Sequence, residues 1–358
     1  MESGGRLNID RACFCAAVLG MLAGGGCATT RFNVPRLKPA EVNLGPVKKV
    51  AIGTIQGDGG GDISDALTQA IMTSGRYEVV DRQHLDEVYR EQSLGAAGEA
   101  GAAQVGKVLG AAALIFGRVT QNRYTETVNG QQNTCMRNNQ SYPCTTYTRL
   151  GALKMSVNLK VVSAQSGKIL ATKTLLADFS KSTEARTDAQ RITDPAWLAN
   201  NVPPIDNPDE IKTVAINNIV AEFMKAIAPY TVSVEVLLFD LSDLPSTGRG
   251  VAAAKSGDWS NAISAFQEAV GQSNANPKFD DKVKGRCLFN LGVALGYSGQ
   301  FDEGLDTISQ AARLIPDEDA FPAEAARIRQ YKVDDARLRK QQADSDQADK
   351  NDLAVPGR

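Results

Sequence analysis

The chain has 358 residues, 42% hydrophobic and 22% charged, with a formal net charge of −2. This is ordinary globular composition, in a length that favours two domains or one domain with an appendage. The near-neutral balance excludes a global basic field for nucleic acid, and no apolar run reaches the ~18 residues of a membrane-spanning helix.

The first element is "ACFCAAVLGMLA" at 12–23, which has the length of a signal-peptide core, with Arg6 and Arg11 ahead of it. Residues 1–26 are therefore read as a signal peptide. Gly24, Gly25 and Gly26 run directly into Cys27, the small-residue pattern that precedes an acylated cysteine in bacterial lipoproteins. Gly24 stands where those proteins usually carry leucine, so plain cleavage at the same place is the competing reading. Residues 27–46 are polar and Pro-containing and read as a lipidated tether. Ala28 after the cysteine is not an inner-membrane retention residue, which places the expected anchor at the periplasmic face of the outer membrane. Cys135 and Cys144 bracket "MRNNQSYP"; an oxidising compartment would favour a disulfide, with free thiols or a metal site as alternatives. Cys287 lies among apolar residues and reads as core.

Beyond the tether, "KKVAIGTI" (48–55) reads as a buried strand and "QGDGGGD" as a turn into a helix with Ile63, Leu67, Ile71 and Met72 on one face. Asp62 suits its N-cap and Gly75 its stop. "YEVVDR" (77–82) and "AALIFGRVT" (112–120) are strands, separated by two amphipathic helices. In "LKMSVNLKVV", Leu153, Met155, Val157, Leu159 and Val161 share one face, and "SGK" at 166–168 turns the chain back into "ILATKTLLADF". A long helix at 207–230 and a last strand at 231–239 complete a mixed sheet flanked by helices.

The C-terminal part contains a repeat with an offset of 42 residues. It relates Gly250 to Gly292, Trp259 to Phe301, Ala262 to Gly304, Phe266 to Ile308 and Ala269 to Ala311. These residues resemble tetratricopeptide repeats, whose period of about 34 leaves room for a loop around "NANPKFDD". The reading is two repeats over 247–320, a capping helix over 321–342 and a disordered tail over 343–358. The groove between helices around 250–255 and 286–295 is the candidate partner surface.

The catalytic signals are weak. The glycine loop lacks the Lys-Ser/Thr of a phosphate loop and carries Asp58 and Asp62, so a turn is expected there. His84 is the single histidine, with no second one for zinc and no serine-elbow motif. Asp81 and Arg82 end a strand and suit an ion pair or a cap. No enzyme, no cofactor and no metal is expected.

"KKVAIGTI", "GRYEVVDRQHLDEVYREQSL", "AAQVGKVLGAAALIFGRVT" and "VNLKVVSAQSGKILATKT" occur in the order and spacing of the curli-secretion lipoprotein family, which the chain resembles over about residues 36–230. The resemblance implies a CsgG-like, anticodon-binding-like α/β domain over 47–240, close to that of penicillin-binding-protein activator lipoproteins and tethered to the outer membrane. It also implies oligomeric export channels built from two membrane hairpins per subunit, here about 119–150 and 176–206. Neither alternate set of "VTQNRYTETVNG" is apolar, and "SKSTEARTDAQRITDP" is charged throughout. A polar hairpin or loop insertion at 119–150 is expected instead. The combined expectation is an anchored periplasmic lipoprotein that binds or assembles envelope and secretion proteins. A homo-oligomeric export channel and an activator of a cell-wall synthase are the alternatives.

Overall fold

The computed structural model describes residues 27–80, 113–188 and 193–353. The readings placed on 1–26, on 81–112 (Asp81, Arg82, His84 and both helices there) and on 354–358 lie outside the described residues. Two compact units emerge: one of residues up to Val34 with Glu235–Arg329, the other of Pro35–Val234 with Gln330–Arg358.

The second unit is built on a five-stranded mixed sheet of order β3-β2-β4-β5-β6. Its strands are β2 (Lys49–Gln56), β3 (Glu78–Val80), β4 (Ala113–Arg137), β5 (Gln140–Ser163) and β6 (Ile169–Thr187). β2 runs parallel to β3 and β4, while β4–β5 and β5–β6 are antiparallel. The predicted alternation on β5 holds: Leu153, Met155, Val157, Leu159 and Val161 are all buried. They meet α1 (Asp62–Ser74) and α3 (Pro208–Ile227) through Leu67, Ile71, Ile211, Ile219 and Phe223. Each such side chain stabilises by about 1.5–3 kcal/mol, so this one face dominates the stability of the unit. Ser156, on the opposite face, is also buried and accepts a 2.9 Å hydrogen bond from the Thr120 hydroxyl.

Asp62 does not cap α1. Gly61 takes the N-cap position at φ 78°, and Asp58 reaches over the turn to accept from the Ile63 and Ser64 amides at 3.2 and 3.0 Å. Gly75 stops the helix at φ 62° as expected.

Several boundaries differ from the sequence reading. The tether expected over 27–46 begins as strand β1 (Cys27–Lys38), paired with β7 (Tyr230–Leu241) in a separate two-stranded sheet; Val34, Ala40, Leu44 and Val47 are buried. Its alternation was hidden because Arg36 and Lys38 fall on the inward set. Their cations lie 4.5 and 5.2 Å from the Tyr331 ring centroid, and Lys38 bonds Asp334 at 2.6 Å. β7 correspondingly joins β1 and not the main sheet.

The tail expected to be disordered continues α8 (Ala320–Leu353), so the cap expected at 321–342 is one part of a longer helix. Its composition is polar because it docks through hydrogen bonds. The Gln341 amide exchanges two with the Ala40 backbone at 3.1 and 3.0 Å, and Asp344 accepts from Asn43 at 2.6 Å.

Residues 119–150, expected as a polar hairpin or loop insertion, lie in a continuous β4–β5 hairpin. A two-residue turn closes it at Asn138 and Asn139, whose φ values of 50° and 60° match the left-handed pair such turns require. The second expected hairpin, 176–206, is the end of β6 followed by α2 (Pro195–Asn201).

Candidate partner-binding site

In the first unit, α4 (Pro245–Lys255) pairs with α5 (Trp259–Ala275), and α6 (Asp281–Tyr297) with α7 (Phe301–Leu314). The 42-residue offset has a physical counterpart. A Cβ on Gly250 would run into the Phe266 ring, and one on Gly292 would meet Ile308 at 2.6 Å. Each glycine admits the large side chain that stands sixteen positions further on. Both hairpins also turn through a left-handed glycine, Gly257 at φ 79° and Gly299 at φ 94°. In the first turn Asp258 accepts from the Asn261 amide at 3.0 Å, which holds its carboxyl below the usual range.

Gly250, Ala262, Phe266, Ala269, Gly292, Phe301, Gly304, Ile308 and Ala311 are buried; Trp259 is half-buried and stacks on Tyr297 at 4.9 Å. All ten residues expected to serve packing or a partner groove are thus engaged in packing. The groove expected around 250–255 and 286–295 is itself filled, on its α6 side, by the chain's own β7. Asn290, fully buried on α6, donates to the Phe239 carbonyl at 2.7 Å and accepts from its amide at 2.9 Å. Phe239 packs on Phe289 and Phe321 at 5.6 and 6.3 Å, and those two rings stack at 4.5 Å. Sequence reasoning missed Asn290 and Phe239. The signal for the first was an amide inside the apolar run "CLFNLGVALGY".

What stays open is the end of this strand-filled groove, where the α5–α6 connection and the segment after β7 meet. A cavity of about 700 Å³ there is lined by Asp243, Asn276, Lys278, Phe279, Lys282 and Arg286 among others. The Arg286 guanidinium lies 5.0 Å from the Phe239 ring centroid, and its buried Nε has no hydrogen-bond partner among the described residues.

The other prominent feature is the distal half of the β4–β5–β6 sheet. Past Arg118, where β2 ends, β4 has β5 as its neighbour for nineteen more residues, about 60 Å of strand. Cys135 and Cys144 form a disulfide near the tip, with Cα atoms 5.8 Å apart. One face is covered about midway along: Arg149 bonds Glu126 and the Val202 and Pro203 carbonyls, and Tyr147 packs on Trp197 at 5.5 Å. The register puts Arg123, Lys154 and Asp178 together on the other face, followed by Thr125 with Ser180 and Asn129 with Glu184. Neither face presents an apolar band.

The glycine loop leaves no anion cradle, because the Asp58 carboxylate already occupies the α1 amides and the Ser64 hydroxyl. No group of three or more metal-ligating side chains occurs among the described residues. Cys27 stands at the start of β1.

Residues 47–237, more than half of the chain, match the model of the family described as curli production assembly/transport component CsgG. The chain belongs to the CsgG family. Solved structures similar to this member include lipoprotein GNA1162 from Neisseria meningitidis, 14% identical, covering 43% of this chain and 91% of that one, with a TM-score of 0.23. A PelC dodecamer from Paraburkholderia phytofirmans is 12% identical, covers 55% and 99%, and has a TM-score of 0.27. The LpoB C-terminal domain from Salmonella enterica is 9% identical, covers 37% and 82%, and has a TM-score of 0.25. No curated protein matches the chain.

Proposed function

We propose that this CsgG-family chain is a lipoprotein of the cell envelope, anchored through Cys27 at the periplasmic face of the outer membrane, that binds or assembles envelope and secretion proteins without catalysing a reaction. The observation that carries the reading is the family match, joined to an apolar leader that ends in "GGGC". Several acyl chains on one residue anchor firmly, at about 0.8 kcal/mol per buried methylene. The two hairpins at 245–314 serve as a tetratricopeptide-like module that presents the chain to a protein partner.

Intact mass and membrane fractionation of the protein made with its own leader, beside Cys27→Ser, test the anchor. Acylated wild type in the outer membrane and a soluble variant are expected; an unacylated, soluble wild type overturns it. Cross-linking in intact cells tests the partner, and recovery of the chain alone sinks the assembly reading.

A second reading, an oligomeric export channel, is favoured by the length of β4, β5 and β6. Charged and amide side chains on both faces of that region weigh against lipid exposure. Detergent-stable rings that conduct ions would decide for the channel.

A further inference from the structure

The cavity at the α5–α6 connection holds an unmet chemical demand. Arg286 Nε is buried and has no acceptor among the described residues, although its guanidinium lies against the Phe239 ring. A buried donor left unpaired costs about 1–3 kcal/mol, and the same side chain lines the cavity. Lys278 and Lys282 line the same cavity and are exposed, and neither forms an ion pair with another of the described residues. Of the two carboxylates present, Asp280 is engaged at the start of α6, accepting from the Val283 amide at 2.9 Å. Asp243 remains at the cavity and opposes the three cations.

From this we infer that the cavity lined by Arg286, Lys282 and Lys278 binds a carboxylate of an acidic peptide segment on a protein partner. The inference rests on the proposed role of the helical module in meeting such a partner, and it names the contact. Guanidinium and carboxylate are both planar, and the rigid fork matches two oxygens at once. Phosphate fits less well, because its second charge would face Asp243 and Asp280. Phe279 and Val283 add an apolar wall beside the cations, which suits an aliphatic residue next to the acidic one. The volume is in the range of sites that hold a few residues of a ligand.

The mature chain carrying Cys27→Ser is titrated against a fluorescein-labelled hexapeptide of alternating leucine and glutamate, read by anisotropy. Controls are the same peptide with glutamine for glutamate, and inorganic phosphate as competitor. Binding is expected for the glutamate peptide alone, weakening several-fold between about 50 and 300 mM salt as screening shortens the reach of the cations. Arg286→Met, which keeps the stem on Phe239, is expected to weaken it at least tenfold, and Lys282→Gln by about threefold, as for central and rim charges. Asp243→Asn should tighten it about threefold by the same logic, a gain that a misfolded variant would not give. Lys255→Gln, outside the cavity, should change nothing.

Three results overturn the site: no peptide binding, binding unaffected by Arg286→Met, or displacement by phosphate as effective as by peptide. If cross-linking still recovers a partner in that case, the contact is misplaced and the assembly reading stands. If neither peptide nor partner is found, both fall.

Discussion

The helical hairpins and the β4–β5 arm both hold two antiparallel elements in one register, but they do so with different materials. In the hairpins, glycines bring backbones together and side chains fill the space between them, so register is set inside a dry interior. In the arm, the ladder itself carries register for nineteen residues past Arg118, and side chains mostly face water. Beyond Leu153, a disulfide near the tip and the Arg149 and Trp197 contacts midway along replace a core. The comparison implies that single substitutions damage the hairpins globally and the arm locally. Both tryptophans serve as reporters, Trp259 in the hairpins and Trp197 on the arm.

The largest effect is expected for Asn290→Ala. It leaves the Phe239 amide and carbonyl unpaired in a buried strand, at a cost of about 3–4 kcal/mol when each group loses about 1–3. Urea unfolding followed at Trp259, in a Trp197→Phe background, measures it. A shift under about 1 kcal/mol would mean that β7 is not held by this amide. Gly304→Ala comes next. Its Cβ would lie 2.7 Å from the Gly292 carbonyl oxygen and 2.8 Å from the Gly296 nitrogen, both backbone atoms that cannot rotate away. Overpacking of this kind costs about 2–3 kcal/mol. A neutral result would show that α6 and α7 can slide apart, and the contrast with the arm would weaken.

Cys135→Ser with Cys144→Ser should behave in the opposite way. The chain-entropy model assigns a closed loop of this size about 2–3 kcal/mol, yet the loss is confined to the arm. Hydrogen exchange over about residues 128–147 is expected to speed up at least tenfold, because local opening carries no global penalty. The transition read at Trp259 should stay in place. If that transition moves with the disulfide, the arm and the hairpins unfold as one body and the comparison fails.

How much of this was legible follows from where the apolar residues fall. The β5–β6 hairpin could be read because Leu153 to Val161 alternate against lysines and the turn is a single glycine motif. The helical repeat could be read because a glycine and its large partner recur at a fixed offset. The full extent of the arm could not, since β4 past Val119 is largely exposed on both faces and has no period of two to display. β1 and the end of α8 were misread for a related reason: Arg36, Lys38 and Gln341 point inward and are satisfied by Tyr331, Asp334 and the Ala40 backbone. The candidate site was half visible. Its helices were foreseen, but a strand arriving from elsewhere in the chain to fill their groove leaves no local mark except one buried amide.

The smallest expected effect compares one kind of ion pair in the two environments. Glu126 and Arg149 pair at 3.2 Å on the arm, where the Glu126 side chain keeps 37% of its surface. Glu324 and Arg327 pair at 2.7 Å in the helical unit, where Glu324 keeps 5% and one of its oxygens has no partner. Burial pushes the Glu324 carboxyl above the usual range, and the opposing pull of Arg327 and of the Tyr297 hydroxyl does not cancel it. A carboxyl raised in the folded state binds its proton more tightly there than in the unfolded chain. Its favourable contribution is complete below the unfolded value, about 4.3, and is lost as pH rises through the folded value. Glu324→Gln removes the ionisation, so it should stabilise the helical unit near neutral pH by up to about 1 kcal/mol, with the gain vanishing below about pH 4. Urea midpoints of Glu324→Gln and of the unsubstituted protein at pH 4 and pH 7 measure the gain. An equal gain at both pH values would mean that water reaches Glu324, and that the helical interior is no drier than the arm.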